Sequence, residues 1–311
     1  MNIAACLLVI MGLLWGIQFS FLRMTALAGL EELPVIGLTL VVLTVFYYLV
    51  LTIRKQWFRP TFKEIGYFTI SGLLGSFLPF WAAIYLSKSM SAGTISLLAS
   101  ASPIITFLAV AAIGHERITA TRCIGVLAGL LASLIVLWPL ISTFWAGQDL
   151  LHQSSLNLLI ALAIPLAYGL DVVYISAFWP KRLNALQVLI GETSAISLVL
   201  LPIIFFTQSF ELILPPYGSG HLAMGLFIIA SIIETFIFFY LIRIRGSIFV
   251  SISSYIAIVA GVLWGIVLLG EQHEPTLWLA IPILILAVFL VSNTRHQKGA
   301  SPPFYSSNET P

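Results

Sequence analysis

Apolar residues in this chain do not alternate with polar ones; they run on. Continuous apolar stretches lie near residues 4–23, 33–53, 65–86, 91–113, 122–144, 156–178, 184–206, 221–242, 247–269 and 276–293. Each is close to the roughly 20 residues that an α-helix needs to cross a bilayer. The pattern predicts ten membrane-spanning helices. A β-barrel would instead show short segments of alternating apolar and polar positions. The connections are brief, as at Ser87–Met90 and Trp179–Leu183, and leave no room for a separate extramembrane domain. Residues 1–8 lack a basic segment and a small-residue cleavage site, so they read as part of the first span and not as a removed signal peptide. Residues 294–311 read as a short polar tail rich in Ser and Pro, expected to be disordered.

Composition agrees. Of 311 residues, 60% are hydrophobic and 8% charged, where a soluble domain carries about 45–50% and about 25%. So few charges cannot cover a water-facing surface, which excludes a soluble enzyme. A net charge of +2 gives no reason to expect nucleic-acid binding. The distribution of charge says more. Arg54, Lys55, Arg59, Lys63, Arg117, Arg122, Lys181, Arg182, Arg243, Arg245, Arg295 and Lys298 fall on one predicted side, and only Arg23 and Lys88 on the other. The positive-inside rule then places both termini in the cytoplasm, with a bacterial-type inner membrane as the expected location. Cys6 and Cys123 lie inside apolar runs and form no disulfide framework or zinc motif.

The chain also repeats. Leu14-Trp15-Gly16 matches Ala167-Tyr168-Gly169 at an offset of 153; Tyr85-Leu86-x-Lys88 matches Tyr240-Leu241-x-Arg243, and Glu116 matches Glu271, both at 155. Five spans per half is an odd number, so the halves must lie upside down relative to each other. The basic loops agree: they follow spans 2 and 4 in the first half but spans 6 and 8 in the second. Inverted repeats of this kind recur in secondary transporters, with the substrate site between the halves near mid-membrane. The units are residues 1–146 (spans 1–5) and 147–293 (spans 6–10).

Several short motifs resemble the EamA domain of the drug/metabolite transporter superfamily. Leu13-Leu14-Trp15-Gly16-x-x-Phe19 resembles its opening, and the segment from Tyr85-Leu86 through Met90-Ser91-Ala92-Gly93 resembles its small-residue entry to the fourth helix. Gly114-His115-Glu116-Arg117-Ile118-Thr119 resembles the family's Gly-Glu-Arg-Leu-Thr turn with one residue inserted, and Leu268-Leu269-Gly270-Glu271 is the same turn in the second half. Ser102-Pro103 stands where many members carry Glu-Pro, and Ile258 where a second Pro is expected. The resemblance implies an all-α integral membrane protein, ten helices as two inverted five-helix repeats around a central cavity. It also implies a secondary carrier of small metabolites, often an exporter of amino acids or related solutes.

Ionisable groups inside a span are costly and mark function by default. Asp171, Glu192 and Glu234 each lie about seven or eight residues from a predicted cytoplasmic end, roughly 10–12 Å deep at 1.5 Å per residue. Three carboxylates at one depth can form a cluster that takes up and releases protons, so that proton entry offsets export. Alternatively, each bonds a neighbouring Ser or Tyr, or pairs with Arg182 or Arg243. By the repeat, Asp171 matches Gln18. Trp15, Gln18 and Tyr168 either line a cavity or pack against helices and lipid; Trp81 and Trp264 either gate that cavity or pack. Ser102 and Tyr255 belong to spans rich in hydroxyls (Ser96, Ser100, Thr106; Ser251, Ser253, Ser254), which serve close helix approach or a substrate. Pro103 frees a backbone carbonyl and is expected to kink span 4. Gly72 and Gly75 read as a packing seam. Gly125-x-x-x-Gly129 and Gly261-x-x-x-Gly265 fit a helix seam within one chain or across a homodimer. Trp57, Trp138, Trp145, Trp179 and Trp278 read as interface anchors. Arg23 and Lys88 either snorkel at outer helix ends or draw an anionic substrate inward.

Phosphate-binding-loop, zinc-protease and serine-hydrolase motifs are absent. No cofactor or metal is expected, and the chain does not read as an enzyme. The partners expected are a small-molecule substrate and the bilayer. The alternative is an intramembrane enzyme or lipid-handling protein using Asp171, Glu192 and Glu234.

Overall fold

The computed structural model describes residues 3–99, 101–114, 119–145, 155–206, 217–272 and 276–292. The tail 294–311 and the turn residues His115 to Ile118 lie outside the described residues. Within the described residues all regular structure is helical. The order is α1 (Ile3–Leu27), α2 (Glu32–Ile53), α3 (Phe62–Gly72), a π-helical turn (Leu73–Phe77), α4 (Leu78–Ser87), α5 (Ala92–Ala99) and α6 (Ser102–Ile113). Then come α7 (Ala120–Trp145), α8 (Ser155–Phe178), α9 (Ala185–Phe206), α10 (Ser219–Arg245), α11 (Ser247–Ser251), α12 (Ser253–Leu269) and α13 (Thr276–Ser292).

Seven helical stretches among the described residues are long and apolar enough to cross a membrane: α1, α2, α3 through α4, most of α8, α9, α10, and α11 through α12. The apolar runs near 91–113, 122–144 and 276–293 fall on α5 with α6, on α7, and on α13. The first of these is not one helix. Pro103 stands in the opening turn of α6, where its missing N–H costs nothing, whereas further inside a helix it would break the ladder. The π-helical turn has the same origin. Pro79 cannot bond the carbonyl four residues back, and its ring crowds that carbonyl; the chain widens, and the Leu78 N–H reaches the Leu73 carbonyl five residues back.

Helix ends follow local chemistry. Thr61 and Glu64 form a reciprocal capping box at the start of α3. Both turns singled out in the repeat open on a left-handed glycine, Gly114 at φ 63° and Gly270 at φ 64°. After α12 the Gly270 N–H bonds the Ile266 carbonyl and the Glu271 N–H bonds the Gly265 carbonyl, each at 3.1 Å, so the last carbonyls are satisfied as the chain turns away.

Lipid is as apolar as leucine, so close backbone approach, and not burial of hydrocarbon, holds helices together in a membrane. The contacts reflect that. α1 packs on α12 and α10, and α8 packs on α6 and α4; α2 faces α9, and α7 faces α13. At Gly16 a Cβ would stand 2.7 Å from the Ala257 carbonyl and 2.5 Å from the Ala260 Cβ; at Gly169 it would stand 2.8 Å from the Ser102 carbonyl and 2.7 Å from the Ile105 Cβ. The Thr106 hydroxyl donates to the Gly169 carbonyl at 3.1 Å, tightening the second crossing. Large apolar side chains such as Phe62, Phe206, Leu198 and Val267 face outward, as a lipid-facing surface requires.

Candidate functional site

Five helices bring polar side chains to the middle of this packing. Residues Tyr67, Ser71 and Gly75 follow one another at a spacing of one helical turn, so they share a face of α3 and the π-helical turn. Opposite them stand Asp171 of α8 and Glu192 of α9, both buried. The Ser71 hydroxyl lies 3.0 Å from Asp171 Oδ1 and within hydrogen-bond contact of Glu192 Oε1. Gly75 makes room for this: a Cβ there would fall 2.5 Å from Asp171 Oδ2. Gly72, expected to be a packing seam, does pack, on Ile196 and the Glu192 carbonyl. Neither carboxylate meets Arg182 or Arg243 among the described contacts. Glu234 of α10 is half-buried and within electrostatic reach of Asp171.

Beside the acids lies an aromatic corner. Trp15 and Tyr168, matched by the repeat, meet edge to face with centroids 4.8 Å apart. The Gln18 side-chain oxygen accepts from Ser231 of α10 at 3.2 Å, while its buried amide nitrogen has no partner among the described residues. The Tyr67 hydroxyl is likewise buried without a partner, and its ring stacks on Tyr174 at 5.3 Å. Buried polar groups are nearly always paired, yet the Tyr47 and Tyr168 hydroxyls are also buried without a partner among the described residues.

Other singled-out residues stand apart from this corner. Tyr255 is fully buried, its hydroxyl donating to the Val126 carbonyl at 3.2 Å and its ring lying against Gly129. Ser102 and Pro103 are buried in the crossing with α8. Trp81 stacks on Tyr85 and is half-buried, as is Trp264. Hydroxyls of Ser96 and Ser251 bond carbonyls of their own helices, and those of Ser253 and Ser254 bond back to the Val250 and Ser251 carbonyls of α11. Gly129, Gly261 and Gly265 are filled within the chain, by Tyr255, Ser96 and Glu271. Trp57 and Trp138 are exposed as anchors should be. Trp179 is not: it is buried, its indole donates to the Leu183 carbonyl at 2.9 Å, and it packs on Phe239. The reason is that the connection after α8 folds inward. The side chains of Trp145 and Trp278 lie outside the described residues.

Each end of the bundle is tied across the two sequence halves. At the end that holds Arg23 and Lys88, Glu271 accepts from the Ala92 and Gly93 N–H groups at 2.8 and 3.2 Å, and Arg23 lies 3.2 Å from the same carboxylate. Arg23 also donates to the Ser87 carbonyl at 3.3 Å, and Lys88 pairs with Glu32. At the basic end Arg182 grips both oxygens of Glu64 and donates to the Arg59 carbonyl at 2.7 Å. The hydrogen bond to Glu64 holds the Arg182 guanidinium above its ordinary value. Asn184 and Gln187 bond the Gln56 side chain and carbonyl at 3.2 and 2.9 Å. Sequence spacing gave no sign of these ties or of Ser71, because their partners lie many tens of residues away, as far as 179 for Ala92 and Glu271.

Residues 2–138 match the model of the EamA-like transporter family. No curated protein matches the chain. A solved crystal structure is similar over 94% of this chain and 97% of its own, with a TM-score of 0.68 at 18% identity; at that identity the likeness speaks of fold alone. The family is consistent with the drug/metabolite transporter superfamily and with a membrane-embedded transporter.

Proposed function

We propose that the chain is a secondary carrier of a small organic solute, an amino acid or a related compound, working by alternating access between two inverted five-span halves, residues 1–146 and 147–293. The carrying observation is reciprocal packing. Gly16 sits on the Ala257 carbonyl and Gly169 on the Ser102 carbonyl; these residues exchange under the repeat. So do the polar contacts, since Gln18 reaches α10 and its match Asp171 reaches α3. Two halves of equivalent shape can exchange conformations, which opens the site to one side and then the other. The polar corner between them, and the ties at both ends, supply the site and the two closures such a cycle needs.

The basic end faces the cytoplasm in this reading, with export as the direction. Single cysteines test the threading in a background without Cys6 and Cys123. Those replacing Pro60 and Lys181 should label from the cytoplasmic side, and one replacing Ser89 from the other. Purified protein in vesicles should speed efflux of at least one amino acid or amine from a broad panel over empty vesicles. Folded protein that moves none of them, or cysteines at 60 and 181 on different sides, would overturn the proposal.

A further inference from the structure

A serine hydroxyl owns one hydrogen. Ser71 Oγ makes hydrogen-bond contact with Asp171 and with Glu192, yet it can donate to only one of them. Toward the other it must accept, and a carboxyl group donates only when it carries a proton. Facing the pair are Tyr67 of α3, Tyr168 and Tyr174 of α8, Tyr47 of α2 and Glu234 of α10. The elements α4, α5, α6 and α11, which also pack on α8, contain no Asp, Glu, Lys or Arg. Two bare carboxylates around one hydroxyl, with no ion pair to a Lys or Arg among the described residues, are a costly arrangement. The unpartnered Tyr67 hydroxyl, 4% exposed and one turn before Ser71, adds a donor for the moment when the pair is empty.

We propose that Asp171, Ser71 and Glu192 form a binding site for a single proton, shared between the two carboxyl groups through the serine hydroxyl. Loading makes one O–H bond to a carboxylate oxygen and leaves the pair with one negative charge. Release breaks that bond, passes the proton to water, and leaves two. Gly75 belongs to the site because only a residue without a side chain lets the Asp171 carboxylate come this close. The coupling of this proton to solute movement rests on the carrier reading, but its binding does not.

Infrared difference spectra of the purified full-length protein, neutral minus alkaline, test this without a substrate. The wild type should show a protonated-carboxyl stretch that shifts in heavy water and disappears as the pH rises. Asp171→Asn and Glu192→Gln should each abolish it, Ser71→Ala should shift it, and Glu234→Gln should keep it. The amide band of the same samples reports whether each variant is folded. A wild type without the stretch, a stretch of full size in either acid variant, or its loss in Glu234→Gln alone would overturn the shared site. Solute flux in vesicles can survive any of these outcomes, so failure here and failure of the carrier reading are separable.

Discussion

Glu271 at one end of the bundle and Arg182 at the other both tie the halves together, but they work in different media. The Glu271 side chain is 7% exposed and spends its charge on a helix N-terminus and a guanidinium. The Glu64 carboxylate that Arg182 holds is as buried, at 8%, but the Arg182 side chain is 49% exposed against 21% for Arg23, so water competes for it, and Glu64 keeps its bonds from the Thr61 N–H and hydroxyl when Arg182 is lost. A buried charge that loses its partners is strongly destabilising, whereas an exposed pair contributes little and fades with salt. The end closed by Glu271 should therefore be the firmer one, and the basic end the one that opens with less effort.

The sharpest way to break this contrast is Glu271→Ala. It strands the Ala92 and Gly93 N–H groups together with Arg23, and should cost about 3 kcal/mol, read as a loss of thermal stability in detergent. Gly265→Ala attacks the same carboxylate by volume, because a Cβ there falls 2.3 Å from Glu271 Oε2. About 1–3 kcal/mol is expected, and little further loss when it is combined with Glu271→Ala, since both remove one interaction. Arg182→Gln should lower stability less than either, and molar salt should erase most of the difference from wild type while leaving the Glu271→Ala deficit in place. Lys88→Gln, which breaks an ion pair whose lysine is half in solvent, should cost no more than about 0.5 kcal/mol. If Arg182→Gln proves as damaging as Glu271→Ala at high salt, the two ends are not different in kind.

A tie that weakens by about 1.4 kcal/mol shifts the ratio of two conformations tenfold. Under the carrier reading, Glu271→Gln should accordingly raise labelling of a cysteine placed at Gln18 from the Lys88 side.

Much of the helical layout was legible because a membrane imposes one rule, a long apolar run, and the chain obeys it. Pro103 announced the break between α5 and α6. Span 9 also breaks, between Ser251 and Ser253, and there the sequence offered no proline as a sign. Asp171 and Glu192 stood out as charges among leucines. Their bridge did not, since a serine inside an apolar helix is ordinary and its importance comes from what two distant helices bring to it. Trp179 misled for a similar reason: position along the chain suggested an interface, whereas the turn after α8 folds it under Phe239. The ties at the ends were invisible because hydropathy registers charges singly and says nothing about which of them meet.

The widened turn at Leu73–Phe77 fixes a phase relation. Each residue of an α-helix advances the azimuth by about 100°, so the extra residue held in that turn decides which way Trp81 and Tyr85 point relative to Ser71. Deleting one residue there would leave the apolar length nearly unchanged, and any hydropathy plot with it, while rotating the whole segment beyond it by more than a quarter turn. Length alone therefore does not make this stretch of chain interchangeable with another of equal greasiness.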